Sequence, residues 1–410
     1  MGYYQGFGGR LVWRSPTMRG LRQLTASVAP PTNTIECHWR PSLRFRIGRN
    51  WPTGEYLLKL VATDGSASYV PLTVLDLQSH AALLIQSEVT TWQAYNAWGG
   101  YSLYAGPDGF NDRASVVSFD RPYASGRGAA GFFWTEQPLI YQAERLGLDL
   151  AYWTDIDLSE HPGLLMSHAA LISPGHDEYW SLAMRDAALR ARTHGVNIAF
   201  LGANADFRHI RLAPSSLGRD RLEICYKIGT EDPLYGKNDN LVTSNWRAPP
   251  VPRIESVLNG GLYQCNPVHA PMVITQAASW LYKGTNLREG QRLNNLIYPE
   301  YDRVDPADPT PAQIEILAHS PVVCNGMHDF ADVSYYNTRS DSGVFDAGTE
   351  GWVKALSCGR IFMRSTCNHD VVTMTENLLH LFATGPAGMR HPARPNLSSL
   401  GIQLQDPIHP

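Results

Sequence analysis

Residues 169–195, AALISPGHDEYWSLAMRDAALRARTHG, constrain the fold of this chain more than any other stretch. Residues 169–173 are a short apolar run closed by Pro174-Gly175, the pattern of a buried parallel strand. From Glu178 to His194, apolar or small residues recur at Trp180, Met184, Ala187, Ala188 and Ala191. This is helical spacing, with Gly195 as a stop. His176, Asp177 and Glu178 therefore fall in the turn between a strand and its helix. In an open α/β sheet that turn lies at the carboxyl end of the strand, where ligands bind.

The flanking chain repeats the alternation. Residues 81–86 read as a strand, 137–146 as a helix, 148–153 as a strand ending in Thr154-Asp155, and 196–201 as a strand ending in Gly202-Ala203-Asn204. These elements predict an α/β domain over residues 79–410, built on a doubly wound, mostly parallel sheet. Residues 205–330, rich in Pro, Asn and Tyr, read as a long irregular insertion able to cover the site. Residues 359–365 and 371–382 read as a last strand and helix. Upstream, residues 11–75 alternate short strands and turns, including LRFRIG, residues 56–62 and residues 69–74. They predict a small β-sandwich within residues 1–78, with no clustered acid, base or ligand.

Composition removes several functions. A chain of 410 residues with 43% hydrophobic content can bury two cores. A net charge of -4 gives no footprint for nucleic acid or an anionic membrane surface. No run of about 18 apolar residues is present to span a bilayer. Residues 1–30 show no apolar export signal, which favours the cytoplasm. Cys37, Cys225, Cys265, Cys324, Cys358 and Cys367 lack CxxC spacing. Buried free thiols are the expectation, with a Cys225–Cys265 pair as the alternative.

The predicted strand ends collect the polar residues. TTWQAYNAWGGYSLY (90–104) carries Tyr95, Asn96, Tyr101 and Tyr104, and SFDRPY (118–123) carries Asp120, Arg121 and Tyr123. Asp155, His176, Asp177, Glu178 and Asn204 follow at successive strand ends. The central turn, SPGHDE, offers no nucleophile elbow, and no phosphate-binding glycine loop or HExxH occurs. Metal-assisted chemistry on oxygen and nitrogen ligands is what this residue set leaves open. Plainer readings stand beside it. A Tyr is most often a packing residue with a bonded hydroxyl, Glu178 suits a helix N-terminus, and Asn204 suits a cap.

Taken together, TTWQAYNAWGGYSLY, SFDRPY, SPGHDEYW and FLGANADFRHIRL, with WPTGEYLLKLVATDG upstream, resemble the large (β) subunit of N,N-dimethylformamidase and its family, over about residues 10–385. The resemblance implies an Ig-like sandwich followed by a glutamine-amidotransferase-like (flavodoxin-like) α/β domain. It also implies amide hydrolysis at a mononuclear non-haem iron, Fe3+, held by two Tyr and one Glu. Carried over by motif, Tyr95, Tyr123 and Glu178 are the ligands, with Tyr101 and Tyr104 as competitors for the place of Tyr95. His176, Asn204 and Glu300 (in PEYDR) are the polar residues around the metal, and the loop from Tyr104 to Ser118 is short against the family. Three hard anionic oxygens would neutralise Fe3+ and leave positions open for water and a carbonyl oxygen. His176 or Glu300 would move protons, and Asn204 would donate to the oxyanion. The implied partners are a small amide substrate and a homo-oligomer or small companion subunit. Two alternatives remain at this point: a non-catalytic relative binding a carbohydrate or small ligand on Trp92, Trp98, Tyr101 and Trp134, and a nucleophile-dependent amidotransferase-like hydrolase.

Overall fold

The computed structural model describes residues 1–3, 6, 8–358 and 366–410. In chain order its principal elements are β1 (Gly54–Val61), β2 (Ala67–Val74), β3 (Leu83–Ser87), α1 (Val89–Ala94), β4 (Val116–Ser118), α2 (Gln137–Arg145), β5 (Leu150–Thr154), β6 (Ala170–Gly175), β7 (Tyr179–Ser181), α3 (Leu182–Thr193), β8 (Asn197–Gly202), β9 (Arg208–Ser215), β10 (Gly218–Ile224), β11 (Leu262–Cys265), β12 (Tyr301–Arg303), β13 (Ile314–Cys324), β14 (Met327–Asn337), β15 (Gly343–Asp346) and α4 (His369–Phe382).

The main sheet has seven strands in the order β13-β14-β15-β8-β6-β3-β5. The five from β15 to β5 are parallel, and β13 and β14 add an antiparallel hairpin at one edge. Strands β3, β6, β8 and β15 are buried along their whole length, as a sheet covered on both faces requires. Side-chain alternation sorts their residues into two cores. Leu83, Ile85, Ile172, Ala199 and Leu201 meet Leu139, Ile140 and Ala143 of α2 and Met374 and Leu378 of α4. Leu84, Leu171, Ile198 and Phe200 meet Met184, Ala187, Ala188 and Ala191 of α3. Each large apolar side chain so buried contributes about 1.5–3 kcal/mol. Helices thus cover both faces, as the alternating pattern predicts.

Three expectations change. The helix after the central strand begins at Leu182, not at Glu178, with Ser181 capping it by accepting from the Met184 amide. Residues 179–181 are drawn instead into parallel pairing with β9, in a second sheet of order β4-β10-β9-β7. The insertion after β8 is shorter than expected, because β13 and β14 (residues 314–337) belong to the main sheet. Among the described residues before 78, the strands are the β1–β2 hairpin and the two-residue pair Val28–Ala29 with Thr34–Ile35, not two facing sheets. The LRFRIG segment is not a strand. The expected strand at 359–365 lies outside the described residues.

Four of the six cysteines depart from the expectation of free thiols, and Cys225 does not pair with Cys265. Cys265 bonds Cys324, and Cys358 bonds Cys367, while Cys37 and Cys225 are buried free thiols. The fold, not sequence spacing, brings the end of β11 to the end of β13.

The hairpin docks on the α/β body through Tyr69, edge-on to Phe133 at 5.5 Å, and through buried acids. Glu55 of β1 accepts from Thr73 Oγ1 at 3.0 Å, and burial pushes its carboxyl up to about 7. Neighbouring Glu136 accepts from Ser87 Oγ (2.7 Å) and the Glu88 amide (3.0 Å). Burial first, then Glu55 and Glu88, raises it as well. An acid whose proton is held more tightly in the folded chain stabilises fully below its unfolded value and loses that contribution as pH rises through the folded one. For Glu55 the window runs from 4.5 to about 7. Glu55→Gln should therefore be near neutral at pH 5 and more stable than wild type by about 1–3 kcal/mol above pH 8. Thermal unfolding of both proteins across this range is the check, and parallel pH profiles would refute a neutral buried Glu55.

Candidate active site

The parallel strands deliver their side chains to one edge. Glu88 follows β3, His176 to Glu178 follow β6, Asn204 follows β8, and Glu350 lies four residues beyond β15. Glu300 reaches the same place from the insertion, just ahead of β12. The backbone here leaves little choice. A Cβ on Gly202 would sit 1.3 Å from the Gly175 carbonyl oxygen, so β6 and β8 can end side by side only with glycine there. Beyond Gly175 the Glu178 amide donates to Thr91 Oγ1 (2.9 Å), and its carbonyl accepts from the amides of Phe207 (3.0 Å) and Arg208 (2.8 Å). Glu178 is thereby pinned between α1 and β9.

Two phenols converge on that carboxylate. Tyr95 donates to Glu178 Oε2 at 2.7 Å. Tyr104 OH lies 2.9 and 3.1 Å from the two carboxylate oxygens and 2.7 Å from Tyr95 OH. The two rings stack at 4.3 Å. Behind them Tyr179 OH lies 2.7 Å from Tyr104 OH and accepts from Lys227, whose ammonium stands 3.5 Å above the Tyr104 ring. Arg208 Nε donates to Glu178 Oε1 at 3.3 Å. Glu178 is 1% exposed. Burial alone would raise its carboxyl, but His176, Lys227 and Arg208 outweigh burial and hold it below the ordinary range. The phenols go the other way. Burial, then the Glu178 charge, raises both Tyr95 and Tyr104 far above a normal phenol. Tyr95 nonetheless keeps 44% of its surface open.

The opposite wall handles protons. His176 Nε2 lies 3.5 Å from Glu178 Oε2 and 3.4 Å from Glu300 Oε2, and Nδ1 lies 3.8 Å from Glu350. Burial works against its charge, yet Glu300, Glu350, Glu178 and Glu88 overcome it and push the imidazole up to about 9. Burial raises the Glu300 carboxyl, opposed by His176. Asn266 donates to Glu300 Oε1 at 2.7 Å. Asn204, in the left-handed region at φ 59°, places Nδ2 3.3 Å from His176 Nε2. Its Oδ1 is buried without a hydrogen-bond partner, as is Glu300 Oε2. His176, Glu300 and Glu350 offer ligand-type atoms within 4.8 Å of one another, a second grouping suited to a cation. A protonated His176 satisfies Glu300 and Glu350 without one.

A family model described as N,N-dimethylformamidase beta subunit-like, C-terminal, matches residues 1–369. The chain belongs to that family. No curated protein matches it. No helix among the described residues is long and apolar enough to cross a membrane.

Within this N,N-dimethylformamidase beta subunit-like chain, the structure brings together Tyr95, Glu178, His176, Asn204 and Glu300 from the residues singled out by sequence. It places Tyr123 elsewhere. That ring lies edge-on to Trp92 at 6.2 Å, with Asp155, Glu223, Arg221 and Arg121 as its charged neighbours, and burial raises its phenol. Tyr104, a competitor for the place of Tyr95 in the sequence reading, lies beside Glu178 together with Tyr95. Tyr101 turns to Asp112. Asp177 is structural, accepting from Ser173 Oγ and Gln86 Nε2 at 2.7 Å each. Asp155 accepts from the Thr90 amide at 3.0 Å. Trp92 is buried and donates to Glu88, which removes it as an open stacking surface. Sequence reading missed Lys227, Asn266 and Glu350, which carry no motif. Arg208 stood in a quoted motif, FLGANADFRHIRL, without a role.

Arg208 also donates to Asn245 from its other arm. Removing one partner of a buried ion pair costs about 3–5 kcal/mol. His176 and Lys227 remain near Glu178, so Arg208→Gln should cost less, about 2–3 kcal/mol in urea unfolding. A cost under about 0.5 kcal/mol, the level of an exposed pair, would show that Glu178 does not depend on Arg208 for charge balance.

Proposed function

We propose that this protein hydrolyses the C–N bond of a small amide, a formamide foremost, at a mononuclear iron centre held by Tyr95, Tyr104 and Glu178. The observation that carries the reading is the convergence of two stacked phenols on one buried, charged carboxylate. The donor set fits the group: all three are hard oxygens suited to a hard trivalent cation. Asn204 Oδ1, buried without a hydrogen-bond partner, marks polar space beside it. The beta-subunit description of the family also supports a companion subunit.

Bound iron would supply Lewis acidity, polarising an amide carbonyl and lowering the pKa of water. This chain's residues supply the rest. His176 is placed to hand a proton from Nε2 to the departing amine. Glu300 Oε2, 3.4 Å away, is placed to take a proton from water and return it to His176. The Asn204 amide presents a donor and a free acceptor to a substrate amide. Tyr95 and Tyr104 line the open side of the pocket. Attack is direct by water, because no side chain is built as a nucleophile here. Ser173 Oγ is committed to Asp177, and burial raises the Cys225 thiol, keeping it protonated.

Metal analysis should find one iron per chain and a visible phenolate-to-iron charge-transfer band. Tyr95→Phe and Tyr104→Phe should each lose the iron or shift the band, while Tyr123→Phe should keep both. The two phenols are protonated beside Glu178 without a cation, so iron uptake by stripped protein should release about two protons per ion. Uptake without proton release would rule out phenolate ligands. His176→Ala should lower amide turnover by about 10²–10⁴-fold on a panel of short amides. A variant with full turnover would remove His176 from the chemistry.

A further inference from the structure

We infer that Asn266 is a positioning residue for Glu300, and that the Cys265–Cys324 disulfide keeps it in place, so that a dithiol reductant lowers turnover. The inference rests on the proton-handling role proposed for Glu300.

Glu300 has its two oxygens divided. Oε1 accepts from Asn266 Nδ2 at 2.7 Å, and Oε2 faces His176 at 3.4 Å. The Asn266 bond therefore fixes which oxygen meets the imidazole and how far away it stands. Asn266 itself is exposed, and little packing holds it. Its backbone depends on its neighbours. β11 pairs antiparallel with β12, but the register is irregular between Tyr263 and Cys265, just where the chain turns toward the site. The pairing ends at Cys265, opposite Tyr301, and the next backbone bond is that of the Val268 amide, which donates to the Pro299 carbonyl at 2.8 Å. Between these points the disulfide is the firm tether. It joins Cys265 to Cys324, the last residue of β13, an eleven-residue strand paired along its length with β14. Asn325, next along, donates to the Asn266 carbonyl at 3.3 Å. The cross-link spans 59 residues of sequence, and the loop it closes contains Glu300. Cys265 is only partly buried, beside an exposed Asn266, so a small dithiol can approach its sulfur. In the exchange the S–S bond breaks and two electrons and two protons pass to the Cys265 and Cys324 thiols. The reductant's dithiol closes to a disulfide.

Displacing a proton-transfer group by about 1 Å can cost about 100-fold. Asn266→Asp keeps the shape, removes the donor and sets a carboxylate against Glu300. It should lower kcat by about 10–100-fold with KM little changed, while Asn266→Gln, which keeps an amide donor, should recover part of the loss. Mild reduction of the native protein, with thiols counted, should lower kcat similarly and recover on reoxidation. Cys265→Ser with Cys324→Ser should match the reduced state. Hydrogen exchange at residues 262–268 and 298–301 should rise on reduction, a readout independent of any substrate. Unchanged kcat in Asn266→Asp, or in protein with both thiols free, would overturn the inference. If the oxidised wild type hydrolyses no amide, the proposed function falls instead. Exchange then still decides the tether, and equal protection before and after reduction would overturn it.

Discussion

The site depends on one buried anion. Glu178 is ionised in a place where burial opposes its charge, and three cations on different elements make that tolerable: His176 beside it, Arg208 on β9 and Lys227 beyond β10. A carboxylate so enclosed must be paired or lose its charge. Its backbone is held as firmly as its side chain, by Thr91 on one side and the amides of Phe207 and Arg208 on the other. The small second sheet exists at this point to make those bonds. Without β7 pairing with β9, residue 178 would open a helix and turn its side chain elsewhere.

The alternating stretches from 81 to 201 were legible because their strands are buried on both faces and their helices on one, two periodicities that sequence displays directly. Carboxyl-end residues such as His176, Glu178 and Asn204 followed from that topology. Other parts were not legible for physical reasons. β15 joins β8 in parallel after a long excursion and brings the antiparallel β13–β14 hairpin with it, and no local pattern reports a pairing between residues as far apart as Ile198 and Val344. LRFRIG alternates like a strand but finds no partner, since alternation states a preference that only a neighbouring strand can satisfy. Tyr104 and Tyr123 illustrate the limit for sites. Both are Tyr on loops near the same strand ends, and what separates them is the contact of Tyr104 with Glu178 and its stacking on Tyr95.

The insertion is where the fold becomes specific. The parallel sheet supplies Glu88, His176, Glu178, Asn204 and Glu350, which define an anionic pocket with one imidazole. Glu300 and Asn266 come from the segment laid across it, and the Asn204 amide donates to Asp302 at 2.8 Å on the same segment. The scaffold thus holds the charged centre, while a cross-linked strap sets the groups that would exchange protons with a substrate. A change in the strap can alter chemistry without touching the centre.

The charge arrangement bears on what the pocket can hold. With Tyr95 and Tyr104 protonated, the carboxylate faces more positive than negative groups on its own side, from Arg208, Lys227 and His176. That side of the pocket opposes a further cation, whereas Glu300, Glu350 and Glu88 make the other side anionic. Loss of the two phenolic protons reverses this, because two further anions then stand within 3.1 Å of Glu178. Lys227, lying on the Tyr104 ring and donating to Tyr179, is placed to favour the anionic form of Tyr104 through both contacts. If a cation binds there as proposed, its uptake would be coupled to loss of the two phenolic protons.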